Sequence, residues 1–263
     1  VSRLIVKLGG HALDDLSPAS PVLVDLAQDI AALRDAGTRV LVVHGGGPQI
    51  ASLLDEVGLE SRFHEGLRVT SGAAMRYVKM ALDEVNGHIT AAFNRAGLAS
   101  VGLTGVDATL LESSPLGDVW GRAGAAPKVR TEIVGALWAS GVTPVVSPVA
   151  VDDQGQFLNC NADTVAGALA GALAARSLVL LSDVDQLRND PDDELSVLAS
   201  ANAPQVRALV HSGAARDGMR PKMIAALDAL EAGAERVVLA NGSRSHALRD
   251  ALAGETPTTE VVR

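Results

Sequence analysis

The chain has 263 residues, 48% of them hydrophobic and 20% charged, with a mean hydropathy of +0.23, enough apolar material to bury a sizeable core and to exclude disorder or a fibre. With 31 acidic against 22 basic residues the net charge is -9, which argues against nucleic acid or an anionic membrane surface as a partner. No apolar run approaches the roughly 20 residues of a membrane span, no signal-peptide layout opens the sequence, and the single cysteine, Cys160, has no intramolecular disulfide partner, so a cytoplasmic protein is expected.

In chain order, short β-branched runs alternate with helical stretches. A strand over Arg3–Leu8 is followed by a helix over Val22–Asp35, a strand over Arg39–His44 and a helix over Gln49–Val57. A long helix over Ala73–Ala96 leads to a strand over Ser100–Leu103, then a helix over Val129–Ser140 and a strand over Pro144–Ser147. A helix over Ala162–Ala174, strand Leu178–Ser182, helix Met219–Ala232 and strand Arg236–Ala240 complete the series. This rhythm predicts a three-layer α/β/α sandwich with a largely parallel central sheet, in two lobes of one fold. Two segments break it, Glu60–Thr70 and Asp107–Pro127, and read as β-hairpins projecting over a site as a lid. Asp185–Glu194, with five acidic side chains and Pro191, reads as a solvated turn, with a metal site as the alternative.

The chemistry collects at strand ends. The first strand closes on Lys7-Leu8-Gly9-Gly10 and the second on His44-Gly45-Gly46-Gly47-Pro48 before a helix. Glycines let backbone N–H groups approach an oxyanion, and a helix N-terminus adds partial positive charge. In a parallel sheet both turns lie at one edge and would converge on one crevice; taken singly, each is also compatible with an ordinary βα turn. Neither the G-x-x-x-x-G-K-[ST] nor the G-x-G-x-x-G fingerprint is present.

Of the 22 basic residues only four are lysines: Lys7, Lys79, Lys128 and Lys222. In Asp217-Gly218-Met219-Arg220-Pro221-Lys222, Asp217 is a candidate cap and Pro221 suits a first turn. Met219, Met223, Leu227 and Leu230 then form the buried stripe. Lys222 near the positive end of that helix is either a solvated lysine or one that meets an anion. In Asn159-Cys160-Asn161-Ala162-Asp163, Asn161 is the N-cap; Asp163 is either helix-stabilising or functional, and Asn159 is left over for a ligand. Arg68 is either a surface residue or a fork for a carboxylate. The six histidines show no metal-ligand spacing, and Cys160 reads as a small buried residue.

Taken together, these segments resemble the amino acid kinase family over essentially the whole chain. The motifs are Lys7–Gly10, His44–Ile50, Gly66–Thr70, Asn159–Asp163, Leu181–Val184 and Gly218–Lys222, in the family's order. The resemblance implies transfer of the ATP γ-phosphoryl group to the side-chain carboxylate of N-acetyl-L-glutamate, with Mg²⁺ arriving on the nucleotide and no protein-only metal site. It places Lys7 and Lys222 on the transferring group with Asp163 orienting both ammonium groups. Gly9, Gly10, Gly45 and Gly46 would bind phosphate oxygens through their N–H groups, Arg68 and Asn159 would hold the acceptor, and the Asp183 region would line the nucleotide site. Residues 1–175 would then form the acceptor lobe and 176–263 the ATP lobe. Gln186 stands where relatives commonly have Gly after Asp-Val-x. The first strand begins almost at residue 1, where arginine-inhibited hexameric relatives have an additional helix, so the resemblance implies a homodimer insensitive to arginine.

Three rivals remain. A sister kinase acts on α-aminoadipate or glutamate attached to an acidic carrier protein, against which the net charge of -9 and the Gly66–Thr70 segment argue. A non-catalytic small-molecule sensor on the same fold would not need Lys7, Asp163 and Lys222. A nicotinamide-dependent oxidoreductase lacks its fingerprint.

Overall fold

A computed structural model describes residues 1–215 and 219–263. Its central sheet has eight strands: β1 (Arg3–Leu8), β2 (Arg39–His44), β3 (Ser100–Thr104), β4 (Thr143–Ser147), β5 (Ser177–Ser182), β6 (Ser200–Asn202), β7 (Arg236–Asn241) and β8 (Thr258–Val262). Their order is β6-β8-β7-β5-β1-β2-β4-β3. From β7 to β3 every pairing is parallel, and β8 runs antiparallel to β7. The helices are α1 (Pro21–Asp35), α2 (Gly47–Glu56), α3 (Gly72–Arg95), α4 (Glu132–Ala139), α5 (Ala162–Ala172), α6 (Ala203–Ser212), α7 (Met219–Glu231) and α8 (Ala247–Ala253).

Strand side chains alternate between two helical layers, as a period of two requires. Ile5, Leu41, Val43, Leu178, Leu180, Val237 and Leu239 face a core shared with α5 and α7. Val6, Val42, Val179, Leu181 and Val238 face the opposite core, shared with α1, α3 and α8. The near-continuous apolar runs of these strands therefore mark a sheet covered on both sides.

Helix starts follow local chemistry. Ser71 caps α3 by accepting from the Ala74 N–H at 3.1 Å, and Asn202 with Gln205 closes a capping box on α6. Asn161 caps α5, accepting from Asp163 N–H at 2.9 Å and Thr164 N–H at 3.1 Å, as its position predicts. Asp217, the expected cap of α7, lies outside the described residues, as does Gly218.

Small residues set the spacing of α5 and α7. A Cβ on Gly167 would stand 3.1 Å from the Ala225 carbonyl oxygen, and one on Gly171 2.7 Å from Ala232 Cβ. The Ala- and Gly-rich sequence of α5 thus lets α7 approach closely.

A second, five-stranded sheet holds Ala123–Gly124, Phe157–Cys160, Val149–Val151, Leu111–Glu112 and Lys128–Val129, in that order. It changes two sequence expectations. Lys128 and Val129 pair with Glu112 and Leu111, so α4 begins at Glu132; β-branched Val129 suits a strand better than a helix start. The 107–127 region does fold back on itself, with Pro115 bridging Gly124 antiparallel and Leu116 N–H donating to the Ala123 carbonyl at 2.9 Å, but it docks in this sheet against Val151 and Asn159–Cys160 instead of standing free. The 60–70 segment does form a hairpin: Arg62–His64 pairs antiparallel with Leu67–Val69, turning through Glu65 and Gly66, both at positive φ. Residues 185–194 are mostly exposed, carried on a small hairpin of Leu187–Arg188 with Val197–Leu198.

Candidate active site

Lys7 lies one residue from the end of β1, where parallel neighbours β2 and β5 flank it with Val43 and Leu180. Asp163 opens α5, and Lys222 sits in the first turn of α7. The close approach of α5 and α7 brings these distant residues to one point. Lys7 Nζ is 3.0 Å from Asp163 Oδ1, and Lys222 Nζ is 3.4 Å from Asp163 Oδ2. Lys7 and Asp163 are 5% and 4% exposed.

Burial opposes these charges and the cluster opposes burial. Desolvation pushes the Asp163 carboxyl upward, but the Lys7 and Lys222 ammonium groups outweigh it and hold the group below the ordinary carboxylate range. Desolvation lowers Lys7 from the usual lysine value; Asp163 pulls back and Lys222 adds to the lowering. The carboxylate spans two ammonium groups and turns both toward the same ground, a geometry suited to an anion bound by both.

Glycines shape the surroundings. A Cβ on Gly9 would meet Lys7 Nζ at 2.5 Å. Gly10, at φ +65, packs so closely on Asp183 that a Cβ would stand 1.3 Å from its Oδ1, which joins the end of β1 to the residue following β5. Gly45 N–H donates to the Leu8 carbonyl at 2.8 Å, tying the two glycine-rich turns together; the N–H expected to bind phosphate at this position is therefore engaged within the chain, and Gly45 contributes to the cleft as a lining residue.

A cavity of about 240 Å³ opens here, lined by Lys7, Gly9, Gly10, Gly45, Gly46 and Asp163 on one side and by Arg68 and Asn159 on the other. The Arg68 guanidinium donates to Ser61 Oγ and, at 3.0 Å, to the Gly47 carbonyl, and stacks over the Phe63 ring at 4.6 Å. It is buried, not a surface arginine. Asn159 donates to Thr70 Oγ1 at 3.0 Å. Asp183 lies instead in an adjoining cavity of about 530 Å³ with Val184, Gln186, Arg188, Met223 and Pro257. Lys222 meets the first cavity through Asp163. Cys160 is buried at the cavity wall, and burial pushes its thiol up to about 11, so it is an inert packing residue.

The structure therefore brings Lys7, Asp163, Gly9, Gly10, Gly45, Gly46, Arg68 and Asn159 to one cleft, joins Lys222 to it through Asp163, and places Asp183 at the junction with its neighbour. Sequence reasoning missed Phe63, Ser61 and Thr70, which aim Arg68 and Asn159. Thr70 closes the Gly66–Thr70 motif without a role assigned to it, while Ser61 and Phe63 fall in no motif; their place in the 60–70 segment that holds Arg68 was the available signal.

The sequence model described as the amino acid kinase family matches residues 2–241. The chain belongs to the amino acid kinase family. The acetylglutamate kinase of Archaeoglobus fulgidus is 38% identical over 260 residues, covering 94% of this chain and 88% of that one. The acetylglutamate kinase of Trichodesmium erythraeum is 37% identical over 262 residues, covering 99% and 88%. The crystal structure of smu.665 from Streptococcus mutans superposes with a TM-score of 0.81 at 28% identity, covering 91% of this chain and 94% of that one. As a kinase of this family the protein uses ATP. Among the described residues no helix is long and apolar enough to cross a membrane.

Proposed function

We propose that the protein transfers the γ-phosphoryl group of ATP to the side-chain carboxylate of N-acetyl-L-glutamate, giving N-acetyl-L-glutamyl 5-phosphate, the acyl phosphate of arginine biosynthesis. The observation that carries this reading is the pair of ammonium groups set on the two oxygens of buried Asp163, at a cleft ringed by Gly9, Gly10, Gly45 and Gly46.

The acceptor carboxylate is already ionised at neutral pH, with a reference pKa near 4.3, so the reaction needs no general base. One carboxylate oxygen attacks the γ-phosphorus while the bond to the β,γ-bridging oxygen breaks, and ADP leaves with that electron pair. Charge accumulates on the equatorial and bridging oxygens of a loose transition state. In this reading Lys7 and Lys222 neutralise it, Asp163 keeps both ammonium groups in place, and the N–H groups of the cleft glycines other than Gly45, whose N–H is held by the Leu8 carbonyl, donate from a preorganised frame. Arg68, fixed on Phe63 and the Gly47 carbonyl, meets the acceptor's α-carboxylate, and Asn159 its acetamido group.

Residues 1–175 bind the acceptor and 176–263 bind ATP, with Asp183 at the boundary and the 62–69 hairpin as the lid. Among the described residues no group of three or more His, Cys, Asp or Glu side chains is gathered for a metal; in this reading Mg²⁺ would arrive with ATP. Carried on the nucleotide, it would supply further neutralisation of the transferring group. A cytoplasmic homodimer completes the proposal.

Hydroxamate formation with ATP, hydroxylamine and either free acetylglutamate or carrier-bound α-aminoadipate tests it. The reading predicts turnover of free acetylglutamate; strong preference for the carrier-bound acceptor, or no signal with any acceptor at saturation, overturns it.

A further inference from the structure

His44 ends β2 with its side chain wholly buried. Its Nδ1 lies 2.7 Å from the Gly45 carbonyl oxygen, and a carbonyl only accepts, so Nδ1 carries the proton. Its Nε2, 3.0 Å from Asn86 Nδ2, is then the acceptor. The same Asn86 amide donates to the Val145 carbonyl at 3.0 Å, which fixes the carboxamide's orientation as well. Asn86 sits where it does because position 102 is glycine: a Cβ there would come 1.9 Å from Asn86 Oδ1. The imidazole is thus held in one tautomer from both sides, and burial, which lowers its pKa to about 4, keeps it neutral at pH 7.

The consequence lies one peptide further on. No described peptide is cis, and in a planar trans peptide the carbonyl and the following N–H point in opposite directions. Anchoring the Gly45 carbonyl on His44 therefore turns the Gly46 N–H the other way. Both glycines line the cleft beside Lys7, and among the described residues the Gly46 N–H has no hydrogen-bond acceptor. Gly45 and Gly46 have no side chains to resist rotation of the peptide between them. Without an anchor that peptide can turn its carbonyl oxygen toward an incoming anion.

We propose that His44, oriented by Asn86, is a positioning residue that aims the Gly46 N–H at the transferring phosphoryl group. The inference rests on the phosphoryl-transfer reading above.

The test compares two polar replacements in the full chain. In His44→Asn the amide nitrogen replaces Nδ1 and keeps the donor to Gly45. In His44→Gln the amide reaches the place of Nε2, keeps the contact with Asn86 and loses that donor. At matched thermal stability, His44→Asn is expected to retain kcat within about threefold. His44→Gln is expected to lose at least about thirtyfold in kcat, toward the hundredfold scale of losing one transition-state donor, with KM for both substrates little changed. Equal kcat values for the two variants overturn the inference. ¹⁵N NMR of the wild-type imidazole tests it without substitution: a neutral Nδ1–H tautomer supports it, and an Nε2–H tautomer overturns it. Absence of acetylglutamate-dependent ADP release by the wild type instead removes the underlying reading, so the two failures are distinguishable.

Discussion

Lys7 and His44 stand at the ends of adjacent strands, one register position apart, yet the buried clusters they anchor are built on opposite principles. Lys7, Asp163 and Lys222 are charged and drawn from three elements far apart in sequence. His44 and Asn86 are uncharged and hold main chain. Desolvating charges is expensive and is tolerated where their field acts on an anion; holding a flexible loop needs only directed donors, which neutral groups supply without that cost. On the proposed function, the cleft separates neutralising a phosphoryl group from aiming the amides that surround it.

Removing the charge that unites the first cluster has the largest expected effect. Asp163→Asn leaves the buried Lys7 ammonium and the half-buried Lys222 ammonium facing each other, so we expect a stability loss of about 3 kcal/mol together with loss of turnover, read by urea denaturation and steady-state kinetics. An unchanged midpoint would mean that the lysines are solvated rather than held.

The neutral cluster gives a pH signature instead. His44 has its folded pKa lowered from 6.5 to about 4, so above pH 6.5 it is neutral in both states and costs nothing. As the pH falls from 6.5 toward 4 the unfolded chain takes up a proton that the folded one refuses, and stability declines by about 3 kcal/mol. Asp163, with its lowered pKa, keeps its contribution across this window and loses it only at more acid pH, below the ordinary carboxylate value. Denaturation at pH 7 and pH 4.5 measures the decline, and His44→Asn should flatten it.

Next in size, Lys222→Ala should lower kcat at least about hundredfold, as measured by ADP release. Near-normal turnover would remove Lys222 from the reaction. The smallest effect belongs to the acceptor side. Arg68→Ala should chiefly raise KM for acetylglutamate, by about tenfold, as expected for ground-state binding; an unchanged KM would return Arg68 to a structural role.

The charged cluster was legible in the sequence because its parts carry local signals. Lys7 closes an apolar strand before Gly-Gly, Lys222 follows a proline in a first turn, and Asp163 follows a capping asparagine. Strand ends in a parallel sheet share an edge, so convergence followed. The neutral pair was not legible: Asn86 is one polar residue within a 24-residue helix, and its contact with His44 depends on a glycine in β3. Strands β6 and β8 were missed for a related reason. β8 (Thr258–Val262) alternates buried and partly exposed residues at the antiparallel side of the sheet, without the continuous apolar run that marks β1 or β5. The second sheet was obscured because three of its strands are two residues long, and its pairings join residues as far apart in sequence as Glu112 and Val151.

The central claim is that Lys7 and Lys222 act on one phosphoryl group. Its most direct test is the kcat of Lys7→Ala, Lys222→Ala and the double variant under saturating ATP and acetylglutamate. Groups that act as a unit are strongly non-additive. The account predicts that the double variant is scarcely slower than the slower single one; losses that multiply, as for independent sites, would contradict it.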